Sequence, residues 1–368
     1  MIRLASPDIQ ETDITRVNEV LKSGNLVQGQ FVEAFEKKLV EFSKIDNCAL
    51  VTSGTAALHL SLLALGIKAG DWIIVPAFTF PATANAVEII GANVLLCDVD
   101  PTQYVVQPEE IEKVILKNPD KPIKAIIVVH EFGFPAQIKA IAEISKRYNL
   151  FLVEDSACAL GTIADGYHTG YYSDLACFSF HPRKAITTGE GGAILSRNSL
   201  LIEKIKCLRN HGIKKNKSEM DFIYAGFNYR MTEIQAVLGL GQIERFENEL
   251  KQRMILAKLY YDNLENNKSI QLPAFHKDHS WQSFMIVLSE RIDRYELIQR
   301  LSNNGIQTNL GAQALHLLSY YRNKYNFENN NYYHSTLLYK CGLALPLYSK
   351  LLPDEIVFIS KTLNKELN

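Results

Sequence analysis

Short apolar runs that alternate with helical segments constrain the fold of this chain more than any other feature. The runs cover residues 49–51, 72–75, 94–96, 125–129 and 151–153. Helices are predicted between them, near 54–65, 81–90, 108–117 and 136–148. Strands that are apolar throughout and separated by helices are typical of a mostly parallel sheet with helices on both faces. The sequence therefore predicts an α/β fold.

Further elements are predicted on either side of this region. Two amphipathic helices come first, near 11–22 and 29–44, and Gly24 is expected to end the first of them. Two more strands follow, at about 175–180 and 192–196. Apolar and charged positions at helical spacing then predict one long helix over roughly 231–264.

The C-terminal region is predicted as a smaller α+β unit. It contains a strand near 283–288, a helix near 293–303, an irregular loop at 326–333 and a terminal helix after Pro353. A chain of 368 residues is long enough for one large domain and a smaller one. We therefore expect a large α/β domain at 1–250 and a small α+β domain at 251–368.

Composition and charge argue against several classes of protein. A net charge of -1 offers no broad basic field, so no nucleic-acid partner is expected, and Lys214, Lys215 and Lys217 are interpreted as a solvated loop. The N-terminus lacks the apolar segment of a secretion signal, and no apolar run approaches the roughly 20 residues that span a bilayer. The six cysteines form no CxxC pair, which predicts neither a zinc site nor a disulfide framework. We expect a cytoplasmic protein with reduced thiols, no metal and no membrane partner.

The first candidate site is the strand-to-helix junction at 51–58. In open parallel sheets, ligands bind outside the carboxyl ends of the strands. Gly54 permits a close approach to the backbone, and the amides of Thr55 and Ala56 at the start of a helix would form an anion site suited to phosphate. The alternative is an ordinary helix cap formed by Ser53 or Thr55, which is the commoner arrangement.

Two more candidate groups follow later strands. Glu154 and Asp155 end a strand that is otherwise apolar, and an Asp at that edge can hold the protonated ring nitrogen of an aromatic cofactor. A helix cap or a metal ligand is the alternative. Lys184 comes just past a buried strand, in a turn fixed by Pro182. Burial would lower its pKa and favour the neutral amine that forms an imine with an aldehyde, although a lysine in a loop is usually only a solvated charge.

Taken in order along the chain, these motifs resemble the DegT/StrS family of sugar aminotransferases, which are pyridoxal-phosphate enzymes of fold type I. The resemblance covers nearly the whole chain. It is carried by Gly29-Gln30, Ser53-Gly54-Thr55-Ala56-Ala57-Leu58, Pro76-Ala77-Phe78-Thr79-Phe80, Glu154-Asp155-Ser156-Ala157, Ser179-Phe180-His181-Pro182-Arg183-Lys184, Gly189-Glu190-Gly191-Gly192, Leu208-Arg209-Asn210-His211-Gly212 and Gly226-Phe227-Asn228-Tyr229-Arg230-Met231.

The resemblance implies a role for the matching residues. Lys184 would form a Schiff base with pyridoxal 5'-phosphate and carry protons between substrate and cofactor, and Asp155 would pair with the pyridine nitrogen. Phe80 would stack on the ring, although core packing is the alternative for it and for Phe78. Ser179 and the amides of Thr55 and Ala56 would hold the phosphate, and Gly54 would allow its close approach to the backbone. Asn228 would reach it from the neighbouring subunit, which implies a homodimer with the active site at the subunit interface.

Cys158 departs from the family pattern, which commonly has His or Gln near the phenolic oxygen of the cofactor. A thiol is a weaker hydrogen-bond partner, so Cys158 either contacts the cofactor there or is simply a small buried residue.

Four residues are candidates for contact with the substrate. His181 lies beside Lys184, and Arg230 could bind the carboxylate of glutamate. Gln313 and His316 match a stretch that lies near the sugar pocket in the family. The alternatives are structural: a turn for His181, a helix start for Arg230 and for Asn228, and a helix with one face in solvent for Gln313 and His316.

The implied reaction is transfer of an amino group from L-glutamate to a keto group of a nucleotide-linked sugar, for a surface glycan or a related product. C4 of a 4-keto-6-deoxyhexose is the first expectation, C3 is the second, and a terminal carbon of an acid sugar is a further alternative. A sugar dehydratase of the same fold would have His in place of Lys184. An amino-acid-directed enzyme of fold type I, or a regulator that has lost the activity, also remains open.

Overall fold

The computed structural model describes residues 1–216 and 219–367. The strands are β1 (Asn47–Val51), β2 (Trp72–Pro76), β3 (Phe78–Thr79), β4 (Asn93–Cys97), β5 (Ile123–Val129), β6 (Phe151–Asp155), β7 (Ile163–Ala164), β8 (Tyr167–His168), β9 (Leu175–Ser179), β10 (Gly192–Ser196), β11 (Ile213–Asn216), β12 (Glu219–Phe222), β13 (Ile270–Gln271), β14 (Phe284–Leu288), β15 (Gln313–Ala314) and β16 (Gly342–Leu345). The α-helices are α1 (Glu11–Ser23), α2 (Gln30–Ser43), α3 (Gly54–Ala64), α4 (Ala82–Ile89), α5 (Pro108–Leu116), α6 (Ile138–Arg147), α7 (Ser199–Leu208), α8 (Glu233–Ile243), α9 (Phe246–Leu264), α10 (Arg294–Asn303), α11 (Ser319–Tyr325), α12 (Tyr333–Cys341) and α13 (Pro353–Leu367).

A seven-stranded sheet forms the centre of the molecule, in the order β1-β10-β9-β6-β5-β2-β4. The pairs from β9 to β4 are parallel, whereas β10 runs antiparallel to both β1 and β9. The sheet is buried on both faces, as the uninterrupted apolar runs require. The predicted α/β fold with a mostly parallel central sheet is confirmed.

The predicted long helix over 231–264 is wrong, because the chain forms two helices there, α8 and α9. Arg245 sits between them with non-helical backbone angles, φ -113° and ψ 1°. Its guanidinium donates to Asp13 Oδ2 at 2.6 Å and to Asp8 Oδ2 at 3.2 Å. The break thus coincides with a tertiary ion-pair cluster that ties α9 to the start of the chain. The predicted stop of α1 at Gly24 is confirmed, since Gly24 has a positive φ of 72°.

The C-terminal region contains a three-stranded sheet, β13-β14-β16, and α9 packs against α13. The start of the chain joins this region, since Ile2 N donates to Gly305 O at 2.7 Å. A domain division at 250 stays a prediction, and that residue lies within α9. The irregular loop predicted at 326–333 is wrong in part, because a 3-10 turn covers Asn329–Tyr332 and α12 starts at Tyr333.

A β-hairpin formed by β11 and β12 was not predicted from the sequence. Lys214 and Lys215 lie in β11, so they are not in a loop, although Lys214 is exposed as expected. Lys217, the third of these lysines, lies outside the described residues. Within the described ranges, no helix is both long enough and apolar enough to cross a bilayer.

Candidate active site

A cavity of about 360 Å³ lies where the carboxyl ends of β5, β6 and β9 meet the C-terminal region. The central sheet supplies residues that follow strand ends, and the segment Asn309–Ala312 lines the cavity from the C-terminal region. Parallel strands bring their carboxyl ends to one edge of a sheet, which explains the placement. The predicted site residues that line this cavity are Gly54, Thr55, Phe80, Asp155, Cys158, Ser179, His181 and Lys184.

Lys184 projects into the cavity from a turn that is held on several sides. Its backbone N–H donates to His181 O at 2.8 Å, and Gln282 Nε2 donates to Arg183 O at 2.8 Å. The Lys184 amine donates to Cys158 Sγ at 2.9 Å. The expected lowering of its pKa is wrong for the free side chain. Burial lowers the pKa, but the contact with Cys158 and the nearby acidic groups Glu131 and Asp155 raise it overall.

Asp155 ends β6 and is 5% exposed, so its carboxylate needs partners inside the protein. Thr83 Oγ1 donates to Oδ2 at 2.8 Å, and the backbone N–H of Ala157 donates to Oδ1 at 3.2 Å. Burial raises the pKa of Asp155, while these two donors and the charge of Lys184 lower it. The two hydrogen bonds fix the orientation of the carboxylate toward the cavity.

The first turn of α3 forms another wall of the cavity. Ser53 caps this helix, since its Oγ accepts from Ala56 N at 3.0 Å. The alternative of an ordinary helix cap is thus correct for Ser53. The Ala56 amide, which was expected to bind phosphate, donates its hydrogen bond to the Ser53 hydroxyl. Thr55 still lines the cavity. A Cβ atom added at Gly54 would lie 2.9 Å from Ser179 Cβ, so the helix start and the end of β9 can approach this closely only with glycine there.

The two aromatic residues near β3 have different environments. Phe78 is fully buried in the core, whereas Phe80 is 60% exposed and lines the cavity. Of the two, Phe80 is therefore the one that could stack on a bound ring. Cys158 also lines the cavity and accepts from Lys184, which places its thiol beside the reactive amine. Burial raises the pKa of this thiol.

Five predicted residues do not line the cavity of their own chain: Ala56, Asn228, Arg230, Gln313 and His316. Asn228 is exposed, and Arg230 donates from Nη1 to the side chain of Asn210. Gln313 lies in β15, paired with Thr79, so the helix expected there is wrong.

His316 is likewise not on a helix with one face in solvent. It is fully buried in a 3-10 turn, where its Nε2 lies 2.8 Å from Thr336 Oγ1. Burial lowers its pKa to about 4. His316 does not line the cavity of this chain, and its contact with substrate stays a prediction.

Two groups in the cavity were missed at the sequence level. Glu131 follows β5 and lines the cavity beside Asp155 and Lys184. Its signal was available, because an acid directly after an apolar strand is the pattern that identified Asp155. The segment Asn309–Ala312 had no comparable signal, since only the tertiary fold brings it to the sheet edge. Among the described residues, no cluster of three His, Cys, Asp or Glu side chains could hold a metal ion.

Comparison with known proteins gives a consistent result. The family model described as DegT/DnrJ/EryC1/StrS aminotransferases matches residues 7–364. GDP-perosamine synthase of Escherichia coli O157:H7 is 31% identical, over 99% of this chain and 98% of that protein. UDP-4-amino-4,6-dideoxy-N-acetyl-beta-L-altrosamine transaminase of Campylobacter jejuni is 32% identical, over 99% of this chain and 96% of that protein. Spr1654 of Streptococcus pneumoniae, solved in a PMP form, has a TM-score of 0.92 at 27% identity, covering 100% of this chain and 99% of that one.

The fold and these similarities define the class of protein: a pyridoxal-phosphate-dependent aminotransferase of fold type I. The chain belongs to the DegT/DnrJ/EryC1/StrS aminotransferase family. The residues present fit this cofactor, because the cavity combines a lysine amine, a buried carboxylate and an exposed aromatic ring. A helix N-terminus at the close contact of Gly54 with Ser179 adds a place for a phosphate group.

Proposed function

We propose that this aminotransferase moves an amino group from L-glutamate to a keto group of a nucleotide-linked deoxysugar, and that Lys184 and Asp155 are its central residues. The observation that carries the assignment is that both residues share one cavity with the N-terminus of α3. The names of the relatives, a GDP-perosamine synthase and a UDP-aminosugar transaminase, support a nucleotide-linked sugar as acceptor. C4 of a 4-keto-6-deoxyhexose is the preferred position, and C3 is the alternative.

Lys184 is the residue we assign to covalent attachment and to proton transfer. When bound, pyridoxal phosphate supplies an aldehyde that condenses with amines and a ring that withdraws electrons from the carbon being deprotonated. The Lys184 amine is held in the cavity by the turn that follows β9. From there its nitrogen can take a proton from the substrate and return it to the neighbouring reacting atom, as a general base and then a general acid.

Asp155 is the residue we assign to the ring nitrogen. Its two oxygens are already oriented by Thr83 and by the Ala157 amide. Each carboxylate oxygen has two acceptor sites, so one more donor can be accommodated. A buried carboxylate at this position would keep a ring N–H protonated, because a positive charge beside it relieves the cost of burying Asp155.

The phosphate site is assigned to the first turn of α3 and to the end of β9. Thr55 contributes its amide, Ser179 its hydroxyl and Gly54 the space for close approach. Phe80 is assigned to stacking on the cofactor ring. Cys158 is assigned to contact with the Lys184 amine, from which its sulfur accepts a hydrogen bond. His181, which also lines the cavity, is kept as a candidate for substrate contact. Its Nδ1 accepts from Arg183 N at 3.2 Å, so it also stabilises the turn.

A homodimer completes the proposal, with Asn228 reaching the phosphate of the adjacent subunit. It is supported by a cluster of exposed apolar side chains next to Asn228 in the chain: Met220, Phe222, Ile223 and Tyr224. Exposed apolar clusters of this kind mark protein interfaces. Arg230 stays a candidate for the glutamate carboxylate, and its side chain donates a hydrogen bond to Asn210 Oδ1 in this chain. We also infer a cytoplasmic location, since all six cysteines carry free thiols.

The dimer is tested by light scattering coupled to size-exclusion chromatography. Wild type should elute with twice the mass of the chain. The variant Phe222→Asp places a charge in the apolar cluster and should shift the population to monomer, whereas Leu116→Asp changes an exposed leucine on α5 and should not. A wild-type protein that is monomeric at all concentrations would contradict the shared site.

The acceptor is tested by direct assay. Purified protein is incubated with L-glutamate and with a GDP-, UDP- or dTDP-linked 4-keto-6-deoxyhexose, and 2-oxoglutarate and the amino sugar are measured together. Equal amounts of both products with one of these sugars would support the proposal, and NMR of the product gives the aminated carbon. Turnover of amino acids and 2-oxo acids alone, with no keto-sugar accepted, would refute the sugar assignment and leave the cofactor assignment intact.

A further inference from the structure

Arg183 lines the cavity next to Lys184, and the proposed function gives it no task. Among the described residues that line the cavity, only these two are arginine or lysine. Lys184 is assigned to the cofactor, so Arg183 is the cation that remains for a substrate. A guanidinium stays charged throughout the pH range in which proteins are folded, so Arg183 provides a permanent positive charge at this site.

The backbone of Arg183 is held from both sides. Its N–H donates to His181 Nδ1 at 3.2 Å, and its carbonyl oxygen accepts from Gln282 Nε2 at 2.8 Å. Gln282 is buried and precedes β14, so this contact ties the turn to the C-terminal region. Pro182 comes directly before Arg183 and restricts the turn further. The side chain of Arg183 therefore starts from a fixed point of the cavity wall.

The guanidinium of Arg183, in contrast, forms no hydrogen bond and no ion pair with any residue that the structure describes. Two other arginines show the usual structural use of this side chain. Arg209 forms a buried ion pair with Glu36, and Arg245 forms one with Asp13. Arg183 is exposed as well as lining the cavity, so it lies at the opening with its donors available to a ligand.

We infer that Arg183 binds the diphosphate of the nucleotide-linked sugar. The inference rests on the proposed acceptor and assigns a residue to its recognition. A cavity of about 360 Å³ must hold the cofactor together with the reacting sugar, which leaves the nucleotide at or beyond the opening. The diphosphate joins these two parts of the substrate, so it crosses the opening where Arg183 lies. The paired N–H groups of a guanidinium match phosphate oxygens in geometry and in charge.

The carboxylates of L-glutamate are the other anions in the proposed reaction. The α-carboxylate is attached to the carbon that loses the amino group, so it must lie close to the Lys184 nitrogen. A diphosphate is separated from the reacting carbon by the sugar ring, which fits the exposed position of Arg183 better. Glu190 lines the same cavity and would repel either anion, so a positive charge is needed there to offset it.

The test measures nucleotide binding to the cofactor-loaded protein by calorimetric titration with GDP, UDP and dTDP. Wild type should bind at least one of them. In Arg183→Gln the dissociation constant of that nucleotide should rise about tenfold or more, because charge-assisted hydrogen bonds to the diphosphate are lost. Arg183→Lys keeps the charge and loses the paired donors, so the constant should rise by a smaller factor. The matched control is Arg291→Gln, which removes an exposed arginine outside the cavity and should leave the constant unchanged.

Glutamate binding is measured in the same proteins from the shift of the visible band, which requires no sugar. Arg183→Gln should bind glutamate as wild type does. Weaker glutamate binding in this variant, with nucleotide binding unchanged, would assign Arg183 to a carboxylate and overturn the inference.

Three other results would also overturn it: no binding of the three nucleotides by wild type, an unchanged constant in Arg183→Gln, or an equal rise in Arg291→Gln. If Arg183→Gln does not fold, Arg183→Lys decides, and an unchanged constant in it overturns the inference. The proposed acceptor fails separately. If Arg183→Gln loses nucleotide affinity but wild type aminates no keto-sugar, the diphosphate site stands and the proposed reaction does not.

Discussion

Thr83 holds the carboxylate of Asp155, and its replacement by valine measures what that hydrogen bond contributes. Thr83 is buried, and its Oγ1 donates to Asp155 Oδ2 at 2.8 Å. Valine keeps the branched shape and removes the donor. A hydrogen bond to a charged group contributes about 1.5–3 kcal/mol, and one pKa unit corresponds to about 1.4 kcal/mol, so the pKa of Asp155 should rise by about 1–2 units.

The consequence is a change in the pH profile of the enzyme. Because the carboxylate of Asp155 is the form that serves the ring nitrogen, a higher pKa removes that form at a higher pH. The acid limb of kcat/KM should therefore move upward by up to about 1–2 pH units in Thr83→Val. Steady-state assays with L-glutamate over a range of pH measure this shift.

Thr83→Ser is the control for the loss of the donor, because it keeps the hydroxyl and removes only a methyl group. Its acid limb should stay close to that of wild type. An unchanged acid limb in Thr83→Val would refute the reasoning. So would an equal shift in both variants, since the effect would then come from packing around Thr83 and the hydroxyl would not be its cause.

Two further predictions concern Gly54 and Glu249. Gly54→Ala places a Cβ 2.9 Å from Ser179 Cβ, so the cofactor dissociation constant should rise about tenfold or more. An unchanged dissociation constant in a fluorescence titration would contradict the assignment of Gly54 to the phosphate site. Burial raises the pKa of Glu249 in the folded protein to about 7, above its ordinary value of 4.5. Its contribution to the free energy of unfolding therefore falls as the pH rises from 4.5 to about 7. In urea denaturation, the free energy of unfolding of Glu249→Gln should therefore depend less on pH than that of wild type, by up to about 3 kcal/mol between the ends of this pH range. Parallel plots of the unfolding free energy against pH for the two proteins would contradict this prediction.

Much of the fold could be predicted because the strands of the central sheet are apolar on both faces. Strands β5 and β6 stand out in the sequence for this reason, and the position of Asp155 at the end of β6 follows directly. The break between α8 and α9 could not be predicted, because the apolar pattern continues through it. Its cause is the contact of Arg245 with Asp8 and Asp13, residues more than two hundred positions away in the chain.

The site was predictable to the same extent and for the same reason. Residues at strand ends, such as Ser179 and Lys184, reach the cavity as expected. The cavity wall formed by Asn309–Ala312 depends on how the C-terminal region packs on the sheet, which no local pattern records. His316 matched a family segment near the sugar pocket, but it lies fully buried in this chain, which the local sequence did not indicate. The raised pKa of Lys184 also could not be foreseen, because it depends on the proximity of Glu131 and Cys158.

The most direct test of the central claim is the visible absorption spectrum of the purified protein before and after addition of L-glutamate. We expect an absorption band of lysine-bound cofactor that shifts to shorter wavelength as glutamate donates its amino group. Borohydride reduction before glutamate is added, followed by peptide mapping, should then place the label on Lys184. A protein that shows no such band even with added pyridoxal phosphate, or a label on another lysine, would contradict the assignment of Lys184 and the catalytic roles built on it.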